Sequence, residues 1–414
     1  MSGRWLSIIG IGEDGRAGLG SAANALIDSA ELIVGGERHL ALVGDTRGAK
    51  MQWRTPLDAT SQDILARRGK PVAVLVSGDP FWFGAGVTLT RTIPIDEMLV
   101  VTSPSSFSLA ASRLGWALQD TVTLGLNMRG LTPLLRRHVH HGRRILALAL
   151  NGETPGEVAK LLTSTGYGPS TITVLEALGG PRERIRSTTA EAFALTDVNP
   201  LNVIAVDVVA GPEAMPIPYA TGLPDTYFEN DGQLTKREVR AVTLSSLQPG
   251  AGELLWDIGA GSGSVGIEWM LAHPANRAIG IERDETRAAR AVRNAVALGV
   301  PQLDIRKGSA PDALDGLPSP DAIFIGSGSA FRELIDTCWN ALKPGGRIVV
   351  NSVTLESELG VLAAYHAHGG TLTRFAVERA GPLGKRMTWR PGNGPAVRVA
   401  AARRRHRRTA SPTP

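Results

Sequence analysis

Leu254-Leu255-Trp256-Asp257-Ile258-Gly259-Ala260-Gly261-Ser262-Gly263-Ser264-Val265-Gly266 decides the fold of the C-terminal half. A short apolar run leads into glycines at alternate positions and then into a helix-forming stretch, Val265 to Leu271. That order reads as strand, tight turn and helix start. Glycines at a turn permit φ > 0 and close approach of a ligand to the backbone. The first N–H groups of the helix then face that ligand. A second apolar run, Ala278-Ile279-Gly280-Ile281, ends in Glu282. An acid at the end of the next strand, about 20 residues after the glycine loop, suits two ribose hydroxyls. Gly259, Gly261, Gly263 and Gly266 do not fall on the G-x-G-x-x-G dinucleotide spacing. The ligand predicted is therefore a nucleoside without a pyrophosphate, and S-adenosylmethionine (SAM) fits.

Outward from this loop the same grammar continues. A helix over Asp284 to Leu298, strand Leu303 to Lys307, strand Ala322 to Ile325, helix Phe331 to Leu342 and strand Arg347 to Val350 follow. One more helix and strands near Thr373 to Val377 and Val397 to Ala401 complete seven strands, a doubly wound α/β sheet. In such sheets ligands lie over the strand ends, which makes Ser327 and Asn351 the candidate acceptor-site residues. Upstream, Thr235 with Glu238 three residues on reads as a capping box.

The chain has 414 residues, enough for two or three domains, and an apolar fraction of 43% supplies proper cores. Gly211-Pro212, Pro216, Pro218 and Pro224 mark a proline-rich junction. Its placement predicts an N-terminal domain over 1–211 in two lobes (about 1–112 and 113–211), a linker over 212–222, and a C-terminal domain over 223–402. A basic tail over 403–414 follows. The single cysteine, Cys338, excludes an internal disulfide and reads as core in an apolar helix. It fits a cytoplasmic protein. The N-terminus lacks a secretory apolar region, and no run of about 18 apolar residues suggests a membrane span. The net charge of +5 is concentrated in Arg403-Arg404-Arg405-His406-Arg407-Arg408. With no aromatics interleaved, that run reads as a solvated terminus rather than a nucleic-acid patch.

The N-terminal half is also α/β. Ser7-Ile8-Ile9-Gly10-Ile11-Gly12 is a strand entering a glycine turn, and Ser21 to Ala30 reads as a capped helix. Leu32-Ile33-Val34 is the next strand, a polar helix lies near Asp58 to Arg68, and Pro71 to Val76 is a strand apolar enough to be buried on both faces. It ends in Ser77-Gly78-Asp79-Pro80-Phe81-Trp82-Phe83-Gly84. Strand Met98 to Val101 ends in Thr102-Ser103-Pro104-Ser105-Ser106, where Ser105 or Ser106 caps the following helix. The second lobe holds strand Thr121 to Leu126, a helix over Thr132 to His140, strand Arg144 to Leu150, helix Pro155 to Leu162, strand Thr171 to Leu175 and strand Asn202 to Val209. His138, His140 and His141 suit a helix C-terminus better than a metal site, because no cysteine or acid accompanies them.

The pieces Ile9-Gly10-Ile11-Gly12, Ser77-Gly78-Asp79-Pro80, and Ser103-Pro104-Ser105-Ser106 with Ala110, Ala111, Leu114 and Gly115 resemble the tetrapyrrole methylases of the cobalamin branch over residues 5 to about 210. The resemblance implies a two-lobed methylase fold with SAM near Gly10, Gly12, Gly78, Asp79, Ser105 and Ser106. The first loop departs from it: Gly12-Glu13-Asp14-Gly15 stands where relatives often carry a G-x-G-P-G-type turn. From Gly222 to about Arg398 the chain resembles the decarboxylating corrin methylases, a Rossmann-like SAM fold. The marks are Gly-Leu-Pro-Asp at 222–225, Leu-Thr-Lys at 234–236, the glycine loop, and Asn-Ser-Val-Thr-Leu-Glu-Ser at 351–357. That resemblance assigns SAM contacts to Thr235, Gly259, Ala260, Gly261, Ser262, Gly263, Glu282 and Ala310.

Together the two resemblances imply a fused corrin-pathway methylase with two SAM molecules per chain. It would methylate precorrin-6B at C-5 and C-15 and remove the C-12 acetate carboxylate, giving precorrin-8X. They also imply a polycarboxylate tetrapyrrole as partner, with arginines in both clefts; a homo-oligomer is expected, and the residues themselves suggest no metal and no membrane. The readings left open are a SAM-dependent RNA methylase on the same folds, a non-catalytic SAM or tetrapyrrole carrier, and a fusion with one inactive half.

Overall fold

The computed structural model describes residues 3–54, 57–326, 332–391 and 397–403. Its chain divides into two compact units, Met1–Thr132 with His138–Met215, and Pro216–Pro414 with Pro133–Arg137.

The first unit opens with a parallel sheet of β1 (Leu6–Ile11), β2 (Leu32–Gly35), β3 (Ala49–Gln52), β4 (Val72–Ser77) and β5 (Met98–Val101), in the order β3-β2-β4-β1-β5. Strands β1, β2 and β4 are buried nearly throughout, as their unbroken apolar sequence requires. Helices α1 (Ser21–Ser29), α2 (Glu37–Leu42), α3 (Leu57–Leu65) and α4 (Gly86–Leu89) accompany this sheet. Helix α5 (Ser106–Leu114) then packs Phe107, Ala110 and Ala111 on Leu146, Leu175, Val203 and Ala205 of a second sheet. That sheet holds β6 (Thr121–Gly125), β7 (Arg144–Leu148), β8 (Thr171–Glu176), β9 (Arg184–Thr189) and β10 (Asn202–Asp207), with α6 (Thr154–Ser164) beside it. Its order is β6-β7-β10-β8-β9, and only β6 and β7 are parallel.

The second unit begins with α7 (Arg237–Leu247) and then winds β11 (Leu254–Ile258), α8 (Ser264–Ala272), β12 (Arg277–Glu282), α9 (Glu285–Ala297), β13 (Asp304–Lys307) and β14 (Ala322–Ile325). Helix α10 (Arg332–Ala341), β15 (Arg347–Ser352), α11 (Leu355–His368) and β16 (Thr371–Phe375) follow. A hairpin of β17 (Glu378–Leu383) and β18 (Arg386–Pro391) precedes β19 (Val397–Arg403). The seven-stranded sheet runs β13-β12-β11-β14-β15-β19-β16, parallel except for β19. One core layer joins α7, α8 and α9 to one face, and the other joins α10 and α11 to the opposite face, with Cys338 fully buried in it. Strand order reverses at β11, so the crevice for a ligand opens over the ends of β11 and β14.

Several expectations need correction. Thr132–His138 is a 3₁₀ stretch, not a helix to His140. Helix α1 starts after Gly20 without a side-chain cap. Thr235 makes no capping box: Lys236 is the N-cap of α7 and no side chain caps it. Helix α2 and strands β3, β9, β17 and β18 were not anticipated. Arg403, expected as the first residue of the basic tail, instead ends β19, and Ser327 and residues 404–414 lie outside the described residues. Among the described residues no helix is long and apolar enough to cross a membrane.

Candidate functional site

In the second unit a cavity of about 1090 Å³ opens beside the glycine loop. Gly259, Gly261 and Gly263 all have positive φ, at 76°, 57° and 76°. Gly259 leaves open space where a side chain would project, and a Cβ on Gly261 would make only ordinary contact, 3.7 Å from the Gln233 carbonyl oxygen, so backbone is what the cavity meets. Gly263 does not line the cavity. It is the N-cap of α8, and a Cβ there would stand 3.1 Å from the Cβ of Ala291. Asn294 holds the loop from behind, donating to the carbonyls of Ser262 and Glu229, each at 2.9 Å.

Glu282 ends β12 at the cavity wall. Its Oε2 accepts the Gly261 N–H at 2.8 Å and its Oε1 accepts the Asp284 N–H at 3.0 Å. Two backbone donors fix the carboxylate while each oxygen keeps acceptor capacity for a hydroxyl. The Gly308 N–H donates to the Glu282 carbonyl at 3.0 Å, which sets Ser309 and Ala310 on the same wall. Thr235, Gly259, Ala260, Gly261, Ser262, Glu282, Ala310 and Asn351 all line the cavity. A nucleoside fits this set: a backbone cradle, a fixed carboxylate, and a volume at the upper end of those of small-molecule sites.

Asp257, which sequence reasoning passed over, lies at the base of the cavity with its Oδ2 accepting the Gly266 N–H at 2.9 Å. Burial pushes its carboxyl up to about 7, against the pull of the Gly266 bond and with the Glu282 charge adding to the rise. Asn351 falls inside β15 rather than after it. Its Nδ2 donates to Thr243 Oγ1 at 2.9 Å, and Thr243 donates onward to the Val239 carbonyl at 2.8 Å. Lys236, Arg283, Arg287 and Arg379 also line the cavity, as do Glu238, Glu333 and Glu378, with Arg287 paired to Asp231 and Arg379 to Glu238.

The Gly-Leu-Pro-Asp and Leu-Thr-Lys motifs meet through one buried pair. Glu268 accepts the N–H groups of Gly222 (2.6 Å) and Leu223 (3.0 Å) and the Nε–H of Arg240 (2.5 Å). Arg240, fully buried, donates also to the carbonyls of Leu223 and Thr235 and stacks on Phe228 at 4.7 Å. Both charges are thus paired and hydrogen-bonded, as burial requires.

In the first unit the three quoted motifs converge at the ends of β1, β4 and β5. The Gly78 N–H donates to the Ile11 carbonyl (3.2 Å), the Ser103 N–H to the Gly78 carbonyl (3.3 Å), and Ser103 Oγ to the Gly10 carbonyl (2.7 Å). A Cβ on Gly10 would fall 1.8 Å from the Gly78 carbonyl oxygen, so only glycine fits. Gly12 sits against Asp14 of the divergent loop, and Glu13 of that loop pairs with Arg38. Asp79 Oδ1 accepts the Phe81 N–H at 2.8 Å, and Ser105 caps α5 by accepting from the Ser108 N–H at 3.1 Å. Asp79, Ser105 and Ser106 line a smaller cavity of about 190 Å³ together with His39 and Ser77, whereas Gly10, Gly12 and Gly78 do not line it.

Two family profiles match this chain: tetrapyrrole (corrin/porphyrin) methylases over residues 6–194, and a precorrin methyltransferase domain over residues 226–401. A precorrin-6Y C(5,15)-methyltransferase [decarboxylating] from Sinorhizobium sp is 53% identical over 389 residues, covering 94% of each chain. The chain belongs to the precorrin-6Y C(5,15)-methyltransferase family. A family member from Mycobacterium tuberculosis is 40% identical over 388 residues, 93% of this chain and 96% of that one. A shorter relative from Salmonella typhimurium, named cobalt-precorrin-6B C(15)-methyltransferase (decarboxylating), is 34% identical over 165 residues, 39% of this chain and 84% of its own. Membership makes the chain a SAM-dependent methyltransferase.

Proposed function

We propose that this chain methylates a precorrin at C-5 and at C-15 and removes the carboxylate of the C-12 acetate, each methylation at its own SAM site. The observation that carries the reading is the fixed Glu282 carboxylate beside the glycine backbone in one unit, and the convergence of Gly10, Gly78 and Ser103 in the other. The second unit takes C-15 methylation and decarboxylation, in keeping with the short Salmonella relative, whose name joins those two steps in one domain-sized chain. The first unit takes C-5.

In the second unit Glu282 holds the ribose hydroxyls, Gly259 to Ser262 give the nucleoside room at the backbone, and Thr235 and Ala310 close its sides. Bound SAM supplies an electrophilic methyl group on its sulfonium. The protein's task is to hold the electron-rich bridge carbon in line with that methyl, an entropic contribution that needs no strong base. Lys236 and Arg283 suit the acetate and propionate arms of the acceptor, whereas Arg287 and Arg379 are paired with Asp231 and Glu238. Loss of CO₂ leaves its electron pair to the conjugated ring nitrogens, and the proton released on methylation balances the one the decarboxylated arm takes up. The buried Cys338 fits a reducing, cytoplasmic setting.

The test is calorimetric titration with S-adenosylhomocysteine (SAH) of the wild-type chain and of Gly261→Arg. Two sites falling to one support two independent pockets. One site abolished by the variant would remove SAM from the first unit and with it the double-methylation reading.

A further inference from the structure

One wall of the second unit's cavity is built differently from the rest. Asp257, Glu282, Phe324 and Asn351 stand on strands of the sheet, and Gly259 to Ser262 on the loop tied to them. Gly232, Gln233 and Leu234 belong instead to an irregular segment ahead of α7. Five exposed residues, Glu229-Asn230-Asp231-Gly232-Gln233, run there between the buried Phe228 and Leu234. They stand against the glycine loop, since the Gln233 carbonyl oxygen is the nearest atom to a Cβ placed on Gly261.

Helix α9 holds this segment. Arg287, Arg290 and Asn294 recur at spacings of three and four residues, which puts them on one side of the helix. Arg287 Nε lies 2.8 Å and Arg290 Nη1 3.2 Å from Asp231 Oδ2. Arg293 grips Glu229 with two bonds, Nη2 to Oε1 at 2.6 Å and Nε to Oε2 at 2.9 Å. Asn294 makes a deeper attachment. It accepts the Glu229 N–H at 2.9 Å and donates to the carbonyls of Glu229 and Ser262, so it pins the start of the segment to the glycine loop. At the far end the buried Arg240 donates to the Thr235 carbonyl. Buried groups thus hold both ends, while the middle is held largely by ion pairs near the surface.

Such pairs are individually weak and are screened by salt. The middle of the segment therefore opens more easily than a strand end of the sheet. A methyl donor must enter this cavity and its demethylated product must leave at each turnover, a step that moving loops commonly control. We propose that residues 229–233 form a strap over the cavity, hinged at Asn294, and that the arginine pairs of Asp231 and Glu229 are its catch, setting the rate at which SAM and SAH exchange. The inference rests on the reading of this cavity as a SAM site. The catch joins protein groups only, so it holds the strap alike with ligand bound or absent. Loosening it speeds entry and release together and leaves the affinity nearly unchanged.

Asp231→Asn and Glu229→Gln keep the shapes of the side chains and remove their charge, and neither residue lines the cavity. In the full chain carrying both changes, release of labelled SAH is timed after a chase with unlabelled SAH, and affinity is measured by calorimetry. The phase that Gly261→Arg lacks belongs to this cavity. Release should quicken about fivefold with affinity within twofold of wild type, and salt should quicken release from wild type but not from the variant. Affinity lost in step with faster release would make 229–233 a fixed wall, and release within twofold of wild type would leave the pairs no part in exchange. Either result overturns the strap. Motion is read without ligand from a spin label on Asn230→Cys, an exposed position in a chain whose single native cysteine is buried. Label mobility should rise with salt and with the two substitutions, and mobility unchanged by both overturns the strap whatever the cavity binds. Should Gly261→Arg lose no SAH phase, the SAM reading of the cavity fails, and the label still judges the strap.

Discussion

Glu282 and Gly261 are joined by a hydrogen bond from the Gly261 N–H to Glu282 Oε2 at 2.8 Å, which ties the end of one strand to the loop that follows its neighbour. The carboxylate is thereby aimed before any ligand arrives. Glu282→Ala should weaken SAH binding in the second unit by about 30- to 100-fold, since it removes charge-assisted bonds worth about 2–3 kcal/mol. Glu282→Gln keeps one acceptor and should lose about tenfold. Calorimetry reads both, and affinities within twofold of wild type would remove Glu282 from the site.

Gly10 and Gly261 serve different ends, and alanine separates them. At Gly10 a Cβ collides with the Gly78 carbonyl at 1.8 Å, so Gly10→Ala should cost about 3 kcal/mol or more and lower the melting transition of the first unit. At Gly261 the nearest neighbour would be 3.7 Å away and only the positive φ of 57° resists, so Gly261→Ala should cost about 1 kcal/mol. Differential scanning calorimetry of the two variants checks the order. An equal cost would mean that the approach at Gly10 is not a tight one.

These contrasts mark what a sequence discloses. Strands β4, β11 and β14 are buried on both faces, so their apolar runs announced themselves, and Glu282 was legible because it ends such a run. Strand β9 was not legible. It holds to its sheet partly through Arg184 and Arg186, which donate to the fully buried Glu176, and charged residues of that kind read as surface. The hairpin of β17 and β18 is exposed and carries no periodic apolar signal. Arg240 and Glu268 were missed for the same reason as Glu176: nothing local distinguishes a buried, paired charge from a solvated one. Asp257 was quoted as part of a strand, and its significance lies in its burial, which only the packing of α8 reveals.

Asp257 gives the second unit a pH dependence of definite sign. Its carboxyl is raised from the ordinary 3.8 to about 7, first by burial. Between those values the folded chain holds a proton that the unfolded chain has lost, so stability falls as pH rises. The contribution is complete below the lower value and is gone above the higher one, at most about 4 kcal/mol in all. Asp257→Asn should flatten the profile between pH 4 and 7 and stabilise the unit at pH 7 and above. Urea unfolding at several pH values measures it, and an unchanged slope in the variant would assign the dependence to other groups.

Arg240 and Glu268 should act on the cleft without touching its ligand. Arg240→Met leaves the Glu268 carboxylate buried with only the Gly222 and Leu223 N–H groups, and it releases the carbonyl of Thr235. Removal of one partner of a buried pair costs about 3–5 kcal/mol, and the two remaining donors place this case at the lower end. Arg240→Met with Glu268→Gln removes the stranded charge and should recover part of that stability, because the Gln oxygen still accepts a backbone N–H. It should not recover SAH affinity, because the Thr235 segment stays untethered. Thermal unfolding and SAH titration of both variants separate the effects. Affinity restored together with stability would show that Arg240 only holds the fold, whereas stability restored alone makes it the residue that positions Thr235.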